Sequence, residues 1–272
     1  MFVSSVSDPD CIMKFCLLIP FLLLGIHSLP AIDSYQPGDT LYVWAASGLT
    51  LRKAPALTAA KLSSVPYGTR VIALNYFNGH DTEVEAVPGF MAYNQKIEAV
   101  MLGGAFACVV FAGDTGYLFD AYLSKLPALK RSKEKAGSEP GFENFDTWAK
   151  RNFGLVAEEH HGTREYGTPS SSRMVYANGF VVSGWSEKDG RSRTILPDVS
   201  MEEAFLLFNY LNGYERDVRL AAKNQPCANF EECWSFTAVS KFEWGFGEGL
   251  CGYKILYLPE EKIVIITTEC SC

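Results

Sequence analysis

Histidine is scarce in this chain. Its 272 residues hold four, His27, His80, His160 and His161, and all of them precede the five cysteines of the C-terminal region. Paired Cys/His nucleophile chemistry needs a positioned histidine, so few arrangements are open. The His-Glu-x-x-His pattern of zinc peptidases is absent, and so is the Gly-x-Ser-x-Gly elbow of serine hydrolases. Excess basic charge is absent too. Lys and Arg number 24 against 31 Asp and Glu, a net charge of −7. That balance gives no general reason to expect nucleic acid as a partner, and it disfavours simple adsorption to acidic lipid. Hydrophobic residues at 48% and charged residues at 20% describe a globular chain. The length suffices for two ordinary domains.

The remaining candidates for chemistry are weak. Glu158-Glu159-His160-His161 is the densest ligand-like cluster. Adjacent residues of an extended chain point to opposite faces, and Gly162-Thr163 follows, so an exposed loop is expected and no metal site. Gly247-Glu248-Gly249-Leu250-Cys251-Gly252 formally matches Gly-x-Gly-x-x-Gly. A dinucleotide site needs a helix after that turn. Here the strand-like run 253–258 follows, so the glycines are expected to form a bulge or flexible approach beside Trp244 and Phe246. The acidic pairs Glu231-Glu232 and Glu260-Glu261 read as solvated. No catalytic residue, cofactor or metal is expected.

The N-terminus carries a targeting signal. Lys14 precedes an apolar run, Phe15 to Ile26, which exits through His27-Ser28-Leu29-Pro30-Ala31. A basic residue, a short apolar core and a small-residue exit predict a signal peptide over 1–31. A membrane anchor or buried helix is the competing reading, but the run is short for a membrane span and Pro20 interrupts it. Met13 is an alternative start. Cys11 and Cys16 lie before or early in the apolar core, where a lipid anchor is not expected. The mature chain is expected to be exported, periplasmic or extracellular, with no membrane attachment. Its cysteines are Cys108, Cys227, Cys233, Cys251, Cys270 and Cys272, which in an oxidising compartment read as a disulfide framework.

Residues 35–128 are rich in strand signals. Runs at 41–44, 71–74, 108–111 and 116–119 are separated by turn clusters such as Pro66-Tyr67-Gly68 and Gly113-Asp114, which suggests a small barrel. Residues 127–141 carry four basic and two acidic residues and no aromatic, and predict an exposed linker, placed at 129–141. From 142 onward helix and strand mix into a small α+β domain, an antiparallel sheet with about two helices. Phe142, Phe145, Trp148 and Ala149 predict a helix near 142–152. Residues 173–185 and 191–196 predict a hairpin turning at Asp189-Gly190. Ser200 and Glu203 form a capping box ahead of an apolar stripe, Met201, Ala204, Phe205, Phe208 and Leu211, whose expected fate is core packing.

The last strands allow a register to be predicted. With Pro259-Glu260-Glu261-Lys262 as the loop, Tyr257 meets Val264, Ile255 meets Ile266, Tyr253 meets Thr268 and Cys251 meets Cys270. Leu256–Ile265 and Lys254–Thr267 share the other face. Both faces match in chemistry. A Cys251–Cys270 disulfide is therefore predicted, with Cys227–Cys233 closing a short loop. A slip of register would bring in Cys272 instead. Cys108 is expected to be a buried core thiol.

Three stretches resemble the bacterial SH3-like (SH3b) domain family. Ser47-Gly-Leu-Thr-Leu-Arg-Lys-Ala-Pro55 is similar to its opening Leu-x-x-Arg strand and proline turn. Val65-Pro-Tyr-Gly-Thr-Arg-Val71 is similar to its apolar-Gly-x-x-Val strand, and Gly116-Tyr-Leu-Phe-Asp-Ala-Tyr-Leu123 to its closing Gly-Tyr motif. The chain departs in a long connection between Leu74 and Cys108, and in Ala105–Val110 where the family carries Gly-Trp-x-x-Val. The resemblance implies an all-β SH3-like barrel over 35–128, ahead of an unrecognised disulfide-stabilised α+β domain over 142–272. It also implies a non-catalytic module contacting peptidoglycan peptide or an envelope protein through aromatics, here Tyr67, Tyr76, Phe77, Tyr117 and Tyr122. The Asp-Cys-Ser context of the peptidases that accompany such domains is absent. Two alternatives stand beside this: a structural role in which the barrel only supports the C-terminal domain, and an unrecognised envelope hydrolase.

Overall fold

β-branched and aromatic runs broken by glycine and asparagine turns pair into antiparallel sheets along the chain. The computed structural model describes residues 35–92, 95–132, 141–163, 168–187, 189–224 and 234–271. The segment 1–31, the Cys227–Cys233 pair and Cys272 lie outside the described residues.

The first part is built from β1 (Thr40–Val43), β2 (Leu49–Arg52), β3 (Lys61–Val65), β4 (Arg70–Val87), β5 (Phe90–Ala92), β6 (Gln95–Ile97), β7 (Val100–Phe111), β8 (Asp114–Phe119) and, after a 3-10 turn at Asp120–Tyr122, β9 (Leu123–Ser124). Seven of these strands form one sheet in the order β3-β2-β8-β7-β4-β1-β9, and β5 and β6 form a separate hairpin. The predicted strands at 41–44, 71–74, 108–111 and 116–119 fall on β1, β4, β7 and β8. The expected closed SH3-like barrel does not form. The sheet is open, with β3 and β9 as its edges. Closure requires strands of matched length and a consistent stagger. Here β4 has 18 residues, β7 has 12 and β9 has two. The β4–β7 ladder runs from Ile72–Val110 to Val87–Val100 through three register shifts. The long connection noted between Leu74 and Cys108 is this ladder with the β5–β6 hairpin in it.

The second part contains α1 (Phe145–Phe153), β10 (Leu155–Gly162), β11 (Ser170–Tyr176), β12 (Val181–Ser186), β13 (Gly190–Pro197), α2 (Met201–Asn212), α3 (Tyr214–Asn224), β14 (Trp234–Ser240), β15 (Glu243–Glu248), β16 (Cys251–Leu258) and β17 (Ile263–Cys270). Its strands form one eight-stranded sheet in the order β10-β11-β12-β13-β17-β16-β15-β14. The small α+β domain with about two helices is corrected on this point: strand makes up 55% and helix 15% of the structure, and the sheet is the dominant element. Two local features account for the difference. Residues 173–185 are two strands, because Asn178-Gly179 turns the chain with Gly179 at φ 86°. Gly213, in the left-handed conformation, ends α2 and lets α3 begin one residue later.

The predicted β16–β17 register is observed pair for pair, and Cys251 is bonded to Cys270. The expected capping box is also present: Ser200 accepts from the Glu203 N–H, and Glu203 accepts from the Ser200 N–H. Gly249 and Leu250 make a two-residue hairpin turn between β15 and β16, in place of the expected bulge. Gly249 takes φ 55° at the first loop position, where such a turn favours glycine.

The described residues form one compact unit, and most of α2 is buried within it. Its apolar residues run all round the helix, and such a helix is buried on more than one side. Phe205 and Phe208 pack on Trp244, Phe246 and Tyr253 of the eight-stranded sheet. On another side, Tyr210 packs on Trp44, Tyr67 and Phe142. One hydrophobic cluster therefore includes Trp44, Phe106 and Phe119 together with Trp148, Phe205 and Val264. A second cluster, around Leu41, Leu51, Val71, Val109 and Leu118, belongs to the first sheet alone.

Candidate functional site: a groove beside Tyr67

The groove begins with strand alternation. Leu41 and Val43 of β1 face the core, which turns Tyr42 toward the other side. Beyond β1 the chain bends inward at Trp44, which is 1% exposed and donates its indole N–H to the Leu126 carbonyl at 2.9 Å. The β3–β4 connection is a tight turn. The Thr69 N–H reaches the Pro66 carbonyl at 3.2 Å, and Gly68 adopts φ 75°. The Gly68 N–H also bonds the Val43 carbonyl at 2.8 Å, which fixes the turn against the end of β1. Tyr67 projects from this turn.

Tyr67 is a fixed wall. Its hydroxyl donates to the Leu129 carbonyl at 2.9 Å. Its ring lies 5.5 Å from Phe142 and 5.9 Å from Tyr210, and the Arg131 guanidinium stands 5.4 Å from its centroid. Burial drives its hydroxyl well above the ordinary tyrosine range, so it remains a donor. Arg131 also donates to the Ala46 carbonyl at 2.6 Å. Leu129 and Arg131 belong to the stretch expected to be an exposed linker. Leu129 is 1% exposed, and Arg131 bridges to Phe142 as an isolated antiparallel pair. The described part of that stretch is thus held at both ends, while 133–140 lies outside the described residues.

Together Tyr42, Pro66, Tyr67, Pro127, Lys130 and Arg131 bound most of an open groove of about 710 Å³. That volume is within the range of small-ligand sites. Its lining contains two cations and no acidic residue. Rigid tyrosine walls offer contact area at low entropic cost.

Of the predicted contact residues, Tyr67 alone lines this groove. Tyr117 is half-buried in β8, paired with Cys108 on one side and Arg52 on the other. Tyr122 sits in the 3-10 turn, 6.4 Å from Phe119, and burial together with Glu215 pushes its hydroxyl up to about 12. Tyr76 and Phe77 lie in β4 opposite Ala107 and Phe106, and their side chains lie outside the described residues. Tyr42, Lys130 and Arg131 were not anticipated. Strand alternation beside two buried β1 residues is the signal that identifies Tyr42. Nothing local identifies the two cations, because the contacts that place them join distant segments.

Two other expectations need correction. Cys108 is half-buried on β7 between the core-facing Ala107 and Val109, so it is not a core thiol. Glu158 to His161 belong to the edge strand β10, not a loop. They are exposed, and His160 Nε2 lies 2.9 Å from Glu158. No helix among the described residues is long and apolar enough to cross a membrane. Comparisons with protein-family models, curated proteins and solved structures find no match to this chain, so its functional reading rests on the groove and the core that holds it.

Proposed function

We propose that this chain is an exported, non-catalytic binding protein of the cell envelope, and that the groove beside Tyr67 takes a peptide of the wall or of an envelope protein. One observation carries the reading. The groove wall is fixed before any ligand arrives, because Tyr67 is tied to Leu129 and packed on Phe142 and Tyr210. A preordered aromatic wall loses little freedom on binding. The Cys251–Cys270 bond suits an oxidising compartment, as does the N-terminal apolar run after Lys14.

Sedimentation of the full chain with purified peptidoglycan tests this. Retention that drops on Tyr42→Ala, in a variant that melts like the parent, supports the groove as the contact. A chain that stays in the supernatant removes the wall-binding reading.

The shared core supports a second reading, in which residues 35–132 chiefly brace the C-terminal sheet. Tyr42→Ala would then leave retention unchanged. Loss would come instead from a substitution on that sheet, such as Trp185→Ala, where the ring is 49% exposed.

A further inference from the structure

We infer that the groove selects a peptide through a carboxylate, which docks on Arg131 and Lys130 while apolar atoms of the ligand lie along Tyr42 and Tyr67. The inference rests on the binding reading above and adds the chemistry of the ligand to it.

The chain as a whole carries −7, yet the groove is bounded by Lys130 and Arg131 with no acidic side chain in its lining. No ion pair joins either cation to a carboxylate among the described residues. The nearby Glu143 carboxylate is held by the Arg151 guanidinium and by the Lys130 backbone N–H. A local cationic site on an acidic protein concentrates anionic ligands there and repels few of them at close range.

The Arg131 side chain is held by the Ala46 carbonyl at 2.6 Å and by the Tyr67 ring beneath it. A guanidinium has five N–H donors. One contact to Ala46 leaves others for a carboxylate, and a planar fork held in place at two points is preorganised for that acceptor. The adjoining walls are the rings of Tyr42 and Tyr67 with Pro66 and Pro127. That combination of rings and rigid apolar edges suits a short peptide better than a polyphosphate chain, which would need cations along its length.

The test is calorimetric titration of the full chain with a peptidoglycan stem tetrapeptide bearing free carboxylates, and with the same peptide amidated. Retention on intact peptidoglycan is measured in parallel. The free peptide is expected to bind about tenfold more tightly than the amidated one, with affinity falling as salt rises. Arg131→Gln should remove that preference, and Arg131→Lys should recover only part of it. Should Arg131→Gln fail to fold, Lys130→Gln serves in its place, with a several-fold loss confined to the free peptide. Equal affinity for the two peptides, or a preference that survives both glutamine variants, overturns the inference while leaving the wall-binding reading intact. Retention on peptidoglycan without binding of either peptide does the same. An Arg131-dependent affinity for a single-stranded oligonucleotide above that for the free peptide also overturns it. Failure of both retention and peptide binding removes the underlying reading.

Discussion

Tyr210 of α2 stacks its ring on Trp44, with centroids 6.0 Å apart and planes inclined by 17°, and donates its hydroxyl to the Trp44 carbonyl. The two residues are 166 positions apart in the chain. The contact ties the end of β1 to this helix, and Tyr67 packs on the same tyrosine ring.

Tyr210→Phe keeps the stack and leaves the Trp44 carbonyl without its donor, at an expected cost of about 1–3 kcal/mol. Tyr210→Ala removes the ring and should cost about 3–5 kcal/mol, by analogy with other large-to-small core changes. Scanning calorimetry should show one cooperative transition that moves down as a whole, because both parts of the chain share this core. A variant that lost only a separate low-temperature transition would contradict the shared core.

Glu203 gives the fold a pH dependence. Its carboxylate accepts from the Ser124 hydroxyl at 2.5 Å and from the Ser200 N–H at 2.9 Å, in a site where the residue is 9% exposed. Burial raises its proton affinity, and the Ser124 and Ser200 bonds, which favour the charged form, oppose that only in part. A folded-state pKa above the unfolded one contributes stability that is full below the unfolded value and is lost as pH rises through the folded value. The melting temperature is therefore expected to be higher near about pH 5 than near about pH 8. Glu203→Gln, which imitates the protonated form, should flatten that slope. Asp39 acts in the opposite sense and in a lower window. Burial raises it, but the Gln36 N–H and Lys125 outweigh burial and hold it below the ordinary range. Its contribution is lost only as pH falls through that depressed value.

Gly104 of β7 is required by packing. A Cβ there would stand 2.3 Å from Asp120 Oδ1, the oxygen that accepts the Ala105 N–H at 2.7 Å. Gly104→Ala should force Asp120 away from that bond and cost about 1–3 kcal/mol, measured as a shift in the urea midpoint. Gly103, whose added Cβ would meet nothing within 4 Å, is the control. Gly103→Ala should cost far less.

Reducing the Cys251–Cys270 bond opens a 19-residue separation at the end of the β16–β17 hairpin. The general range for such cross-links is about 2–4 kcal/mol. The matched β16–β17 pairs hold the hairpin without it, so the lower part of that range is expected. Thermal melts with and without reductant read the loss directly.

The sequence by itself determined the local elements and the pairings between neighbours. The β16–β17 register and its disulfide followed from side chains matched on both faces, because a two-residue period leaves few acceptable alignments. The start of α2 followed from the reciprocal Ser200 and Glu203 hydrogen bonds, which involve residues three apart. Both signals are contained within short stretches of chain. Only the tertiary structure decided how those elements close. The open first sheet depends on how far β4 and β7 extend their ladder. The second role of Glu203, to Ser124, depends on a partner 79 positions away. The groove depends on Leu129, Arg131, Phe142 and Tyr210 meeting around Tyr67. Local composition around 127–141 read as solvent-exposed linker, since charge there is dense and aromatics are absent. Leu129 is nonetheless buried, because the hydroxyl of Tyr67 and the indole of Trp148 take the carbonyls of Leu129 and Pro127. Contacts of that kind join distant segments, so no pattern within either segment records them.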